Sequence, residues 1–420
     1  MKHSTQLARW IAGALVVAPF GSALAAQALF SPVPMVMKAP ETDTAYQALA
    51  AQPSTHAMQL VTADTAQLDE STDSVLLNLD FGGALDVPLQ RVSSYRSEDG
   101  SLVWHGTVAS FATSRASFGP NEVANDPMND ATLVVHDGKL TGNVRILGQL
   151  YAIRPLHDGR TAIVEVDPSA MPPDHPPAAY RKLFDASKAM DLEAMAPDAI
   201  TANTVIRVMV NYTQGVASQV GDVPGLINLA VAESNQGYAN SGVAITMQLA
   251  TTSQVSYSET GNFDTDLARY RGTSDGYMDS IHGLRNSSAA DVGVLLVTNT
   301  AYCGLASAIK ATATTAFAEV YWDCATGYYS FAHEIGHLQA ARHDPTNDPT
   351  NTPYKYGHGY QYAAGGWRTI MAYDCTSGCT RLNYWSNPGI TYGGHAMGTT
   401  TRSDNHRVLN NTAATVAAFR

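Results

Sequence analysis

The residues best suited to chemistry lie in one run, His333-Glu334-Ile-Gly-His337-Leu-Gln-Ala340-Ala-Arg-His343-Asp344. If its start is helical, His333 and His337 stand one turn apart on one face, so both imidazoles can grip a single zinc ion. Glu334 lies beside that face, where its carboxylate can act on a water in the metal's open position without being a ligand. His343 cannot join by continuing the helix, because ten residues at about 100° each leave it some 80° off the His333 direction. The helix must therefore end after His337 and the chain must swing back. Three neutral imidazoles leave one coordination position open, the catalytic rather than the structural zinc pattern. For this composition, H-E-x-x-H arises by chance in roughly one chain in a hundred. Adding a histidine at the matching later position lowers that to a few in ten thousand, roughly. The competing explanation, an amphipathic surface helix with incidental histidines, is correspondingly weak.

This run resembles the metzincin zinc endopeptidases, whose pattern is H-E-x-x-H-x-x-G-x-x-H with a methionine turn downstream. Both motif histidines, the glutamate and the third histidine match. The glycine position holds Ala340, and a left-handed turn there would cost a non-glycine residue about 1–2 kcal/mol. Thr369-Ile-Met371-Ala-Tyr373 is similar to the methionine turn, which implies that Met371 floors the metal histidines. Met-x-Tyr also resembles the astacin and serralysin branches, which implies that Tyr373 approaches the zinc and stabilises the transition state; a packed aromatic is the alternative. Cys303-Gly-Leu-Ala306 and Cys324, ahead of the motif helix, resemble the lead-in of many metzincins. That implies a Cys303–Cys324 bridge and leaves Cys375 with Cys379. The likeness covers roughly residues 200–420.

More narrowly, the motif helix together with Tyr356-Gly-His-Gly359, Trp367–Tyr373 and Ser386-Asn-Pro388 is similar to the bacterial peptidyl-Asp metalloendopeptidases, the Asp-N type. That family cleaves on the amino side of aspartate, so the resemblance implies a cation in the pocket beyond the scissile bond. Arg381 is the nearest candidate, with Lys355 and Arg368 behind it. The expected activity is zinc-dependent hydrolysis of Xaa-Asp bonds, with Xaa-Glu a secondary case and Glu334 as general base, then acid. A broad-specificity metzincin and a non-catalytic zinc-binding protein are the rival readings.

The N-terminus supports export. Lys2 and Arg9 precede an apolar run from Trp10 to Phe20, and Ala23-Leu-Ala25 closes it as a cleavage site, so residues 1–25 read as a signal peptide. The mature protein is then expected to be secreted and free of the membrane. All four cysteines, Cys303, Cys324, Cys375 and Cys379, lie in the last third. An even count in an exported chain reads as two disulfides, although C-x3-C alone could bind metal. A net charge of −12 with no basic block excludes nucleic acid and anionic membranes as expected partners. Residues 26–200 hold 11 Lys and Arg against 22 Asp and Glu, whereas residues 201–420 hold 12 against 15.

These features require elements to hold them. Residues 26–75 show little periodicity and read as a loosely ordered lead. Residues 76–166 are β-rich, with strand candidates Val75–Phe81, Leu102–Val108, Ala131–Val135, Gly142–Ile153 and Thr161–Val166 separated by Asp-Gly turns. Pro168–Pro177 holds five prolines and marks a boundary; a helix spans Ala178–Met195. Beyond residue 200 come strands at Thr204–Val210, Val243–Leu249 and Asp291–Val297, and helices at Leu226–Tyr238, Asp264–Arg285 and Tyr328–Ala341. After that few regular elements are expected.

The expected fold class is α+β: a metzincin-type domain at 198–420, with a twisted mixed sheet and a zinc-binding helix, behind a β-rich propeptide at 26–197. Polypeptide substrates and the chain's own propeptide, as inhibitor, are the expected partners. The propeptide contains no cysteine to block the zinc. Asp174-His175 could do so instead, but the favoured reading leaves them solvated in the linker. Cleavage before Asp198 would release the catalytic domain. A calcium ion among Asp344, Asn347, Asp348 and Asn351 competes with simple turn formation there.

Overall fold

The computed structural model describes residues 28–33, 40–111, 118–188, 190–191 and 203–420. The expected signal peptide and the cleavage point before Asp198 lie outside them. Within the first half, nine antiparallel strands form one sheet. In spatial order they are Phe30–Pro32, Thr55–Ala63, Thr161–Val166, Gln149–Pro155, Lys139–Ile146, Asp130–His136, Leu102–Val108, Ala84–Arg96 and Ser74–Asp80. Alternation drives it where one face is dry: Ser74–Asp80 buries Val75, Leu77 and Leu79 and leaves its other residues at least partly wet. The single candidate Gly142–Ile153 is in fact a hairpin, turned at Leu147-Gly148, where both residues have positive φ (51° and 85°).

Among its described residues the lead carries regular elements, contrary to expectation. Asp43 accepts from the amides of Ala45 and Tyr46 and so caps helix Thr44–Ala50. Thr55–Ala63 then pairs with Thr161–Val166. That strand is intermediate in burial along most of its length, so it lacks the alternation that betrays a strand.

The second half is built on a five-stranded mixed sheet in the order Ile245–Gln254, Thr204–Tyr212, Val292–Val297, Phe317–Tyr321, Gly304–Ala306. The first four strands are parallel and the last, an edge, is antiparallel. Mixed sheet and helices agree with the α+β expectation. Helix Val223–Asn240, capped by Asp222, is buried along nearly its whole length. Its Leu229 and Ala232 pack against Val103 and Val134 of the nine-stranded sheet, which joins the two halves. Polar contacts cross the same joint, with Asn143 donating to Glu233 at 2.6 Å. Cys303–Cys324 and Cys375–Cys379 are disulfides. A C-terminal helix, Asn405–Val416, was not anticipated; Asp404 caps it, and it buries Val408, Leu409, Ala413 and Val416 within a polar sequence. No described helix is long and apolar enough to cross a membrane.

Candidate active site

The motif helix runs from Ser330 to Leu338, and all of its residues are buried. That disposes of the surface-helix explanation. Gly336 is required by a neighbour: a Cβ there would lie 2.7 Å from the Trp385 ring and 3.0 Å from Met371 Sδ. Met371 thus packs against the helix at Gly336 and is fully buried. After Leu338 the chain turns through Ala340, whose φ is +76°. Ala341 N bonds back to Gly336 O at 2.9 Å, and Arg342 pairs with Gly357 and Gly359. This reversal carries His343 back to the helix, as the angular argument demanded.

His333, His337 and His343 converge, and a fourth imidazole, His175 from the proline-rich linker, joins them. His175 Nε2 lies 3.0, 3.2 and 2.9 Å from the Nε2 atoms of His333, His337 and His343. Three of the rings donate Nδ1–H to carbonyls: His333 to Ile370, His337 to Ala341 and His175 to Gly304. Those bonds fix the tautomer, so the Nε2 lone pairs face one another. Such an arrangement repels itself unless a cation sits between them. Four nitrogens around zinc at about 2.0 Å would be about 3.3 Å apart, close to the spacings found. Burial also keeps the rings neutral, pushing His175 down to about 4 and the other three well below the usual histidine value. The donor set fits zinc.

Glu334 is buried beside this cluster, its Oε1 3.5 Å from His175 Nδ1. Burial, reinforced by Asp174, raises its pKa well above the usual carboxylate value. Its Oε2 has no partner among the described residues. Gly304 makes room for it, since a Cβ there would fall 2.6 Å from Oε1. The Tyr373 ring lies 4.1 Å from that of His343, centroid to centroid.

Arg381 is buried, on a short strand in register with Trp367–Arg368. Its guanidinium binds Asp174, with Nη2 2.8 and 2.7 Å from the two carboxylate oxygens. Tyr328 stacks beneath, 4.3 Å from ring centroid to Arg381 Cζ. Burial opposes ionisation of Asp174, yet Arg381 and then Arg368 hold its pKa below the usual value. The other expected cations are placed differently. Arg368 spends its donors on Cys379 O, Ala372 O and the Tyr328 hydroxyl, and Lys355 is exposed.

Two expectations are corrected. Asp174-His175 is not solvated: both side chains are buried, Asp174 against Arg381 and His175 in the histidine cluster. Apart from its composition, the sequence signal was an aspartate beside a histidine within a proline-stiffened stretch. Tyr180, which was not singled out, stacks on His343 at 4.2 Å and donates to Asp348. Calcium is not supported either, because most of the side-chain oxygens it would need already have protein partners. Asp344 accepts from Asn347 and from Tyr373 N, Asp348 pairs with Arg342 at 2.8 Å, and Asn351 accepts from Arg402.

Residues 202–386 match the family model described as Metallo-peptidase family M12 (Reprolysin_5). A peptidyl-Asp metalloendopeptidase of Stenotrophomonas maltophilia (strain R551-3) is 50% identical over 97% of this chain and 98% of its own. One from Xanthomonas campestris pv. campestris is 50% identical over 89% of this chain and 88% of its own. A Pseudomonas fragi protein of the same name is 52% identical over 189 residues, which is 45% of this chain and 100% of that protein. With the histidine cluster and the buried glutamate beside it, these similarities identify the chain as a zinc metalloendopeptidase that belongs to the peptidyl-Asp metalloendopeptidase family.

Proposed function

We propose that the chain is exported as an inactive precursor and matures into an endopeptidase that cuts on the amino side of aspartate. In this reading residues 1–25 direct secretion, residues 26–197 form the propeptide, and residues 198–420 are the working enzyme. His333, His337 and His343 hold the zinc, which supplies Lewis-acid polarisation of the scissile carbonyl and acidifies water. The Glu334 carboxylate takes the proton from the attacking water and delivers it to the leaving amine. Tyr373 offers its hydroxyl to the carbonyl oxygen as charge develops there. Arg381 grips the side chain of the aspartate that follows the cut bond. Met371 and Gly336 keep the motif helix seated while this happens.

The observation that carries the aspartate preference is the buried Arg381 guanidinium, whose carboxylate partner, Asp174, is the chain neighbour of a residue in the histidine cluster. A buried, doubly bonded guanidinium discriminates strongly for a carboxylate, since an uncharged side chain would leave it unpaired. The test is to digest a denatured protein with the processed enzyme and to sequence the new N-termini. They should begin with Asp, and Arg381→Gln should abolish that bias. A wild-type enzyme that cuts before aliphatic residues would overturn the specificity and leave the broad-range protease in its place.

A further inference from the structure

We infer that Asp174-His175 acts as a two-point plug, in which Asp174 occupies the acid-recognition pocket as a substrate aspartate would while His175 takes the metal's fourth position. The inference rests on the propeptide and pocket assignments above and adds the device that keeps the precursor closed.

Four observations converge on it. Arg381, buried and expected to face substrate, already has its carboxylate, and both oxygens of Asp174 are engaged. The next residue supplies the imidazole that completes the four-nitrogen cluster, with its other nitrogen tied to Gly304 O at 3.0 Å. The backbone is pinned to the edge of the mixed sheet, because Cys303 N donates to Pro173 O at 2.9 Å and Gly304 N to Asp174 O at 3.0 Å. The plug is also backed from behind: Tyr180, on helix Pro177–Lys188, stacks on His175 at 5.2 Å and is held by the buried Asp348.

This geometry explains why an Xaa-Asp bond can rest in the cleft uncut. The Pro173 carbonyl, which would have to be polarised for hydrolysis, is bonded to Cys303 N instead. His175 fills the position that the attacking water needs. The prolines around the dipeptide limit the conformations the linker can explore, so less entropy is lost when the plug docks. Specificity and inhibition then share one recognition element, since whatever binds substrate aspartate also binds the precursor shut.

The test uses the full chain with Glu334→Gln, to prevent self-cleavage, loaded with Co2+ and titrated with acetohydroxamate while the visible spectrum is followed. The parent should hold a four-nitrogen spectrum that resists the hydroxamate. His175→Ala should start from a shifted spectrum and bind the probe readily. Asp174→Asn should start from the parent spectrum but yield at a hydroxamate concentration at least about tenfold lower, as expected for loss of a buried charge pair. His175→Gln must repeat the His175→Ala result and Asp174→Glu must restore part of the resistance, with far-ultraviolet circular dichroism showing that each variant is folded. If His175→Ala begins with the parent spectrum, or the parent binds the probe as readily as that variant, the histidine half is overturned. If Asp174→Asn titrates like the parent, the aspartate half is overturned. The reading of the processed enzyme stands or falls separately: mapped cleavage sites without aspartate bias would remove the specificity assignment and leave the spectroscopic result intact.

Discussion

Two segments bring imidazoles to the same point by different physics. In the motif helix, His333 and His337 meet because a 3.6-residue period stacks residues four apart, and His343 follows from one left-handed residue after the helix ends. In the proline-rich linker nothing periodic exists. His175 is placed by partners far away in sequence: Gly304, Arg381 through Asp174, and Asp348 through Tyr180. The helix histidines are set by the helix and its turn, whereas the linker histidine is held by contacts that would end if the linker were cleaved away, as proposed above. On the proposed reading, permanent and removable ligands are told apart by the kind of element that carries them.

The largest expected effect separates the two segments by sign. Glu334→Gln should lower peptide hydrolysis by the processed enzyme about 10²–10⁴-fold while zinc content stays at one ion, because only the proton acceptor is lost. His175→Ala should instead raise the activity of the unprocessed chain. Hydrolysis of an aspartate-containing peptide and metal analysis of the same samples check both; a shared direction of change would erase the distinction.

The next effect tests how firmly the edge under the linker is held. Removing Cys303–Cys324, whose partners are 21 residues apart, should cost about 3 kcal/mol. Removing Cys375–Cys379, only 4 apart, should cost about 2 kcal/mol. Urea midpoints of the paired Cys→Ala variants give the comparison. Because Cys303 and Gly304 bind the linker backbone, the first loss should also loosen the precursor, and the second should not.

A third prediction concerns the joint between the two halves, where Glu233 accepts from Asn143 and from Gly327 N. Burial raises Glu233 to about 7 from an ordinary 4.5, against the lowering effect of those bonds. Between these values the folded chain keeps a proton that the unfolded chain has lost. The contribution to stability is therefore complete below about 4.5 and disappears as pH rises through about 7, a change of about 3 kcal/mol. Glu233→Gln should flatten the pH profile of urea unfolding over that window, whatever its effect on absolute stability. An unchanged slope would mean that Glu233 stays ionised at the joint.

Legibility in the sequence followed the same division as the ligands. The metal-binding run and its reversal before His343 could be read because local spacing dictates them, whereas Met371 was named through the family resemblance. Arg381 could be named only through the family resemblance; no local rule says which arginine is buried. Strand Thr55–Ala63 was hidden because neither of its faces is fully dry. The C-terminal helix was hidden because its apolar residues are diluted by Asn and Thr, and tertiary burial overrides that weak propensity. Asp174 and His175 were visible as residues and not as a site, since prolines and charges in a linker ordinarily mean exposure. What the sequence lacked was the distant partners.

The smallest effect lies at Ala340, where the motif departs from glycine. Its φ of +76° is strained for a residue with a Cβ, so Ala340→Gly should recover about 1–2 kcal/mol. Against this, the methyl is fully buried among Tyr354, Tyr356 and Val408, and deleting it forfeits about 1 kcal/mol of apolar burial. Glycine also gives the unfolded chain more freedom, a further loss of about 0.5–1 kcal/mol. The opposing effects nearly cancel, so thermal or urea unfolding should shift by less than about 1 kcal/mol. Ala340→Val, by contrast, keeps the positive φ, adds β-branching and overfills the cluster, so it should destabilise by more than about 2 kcal/mol. If glycine instead stabilised the chain by the full relief of strain, the methyl would not be a packing element, and the alanine would be an uncompensated cost carried by the turn that delivers His343.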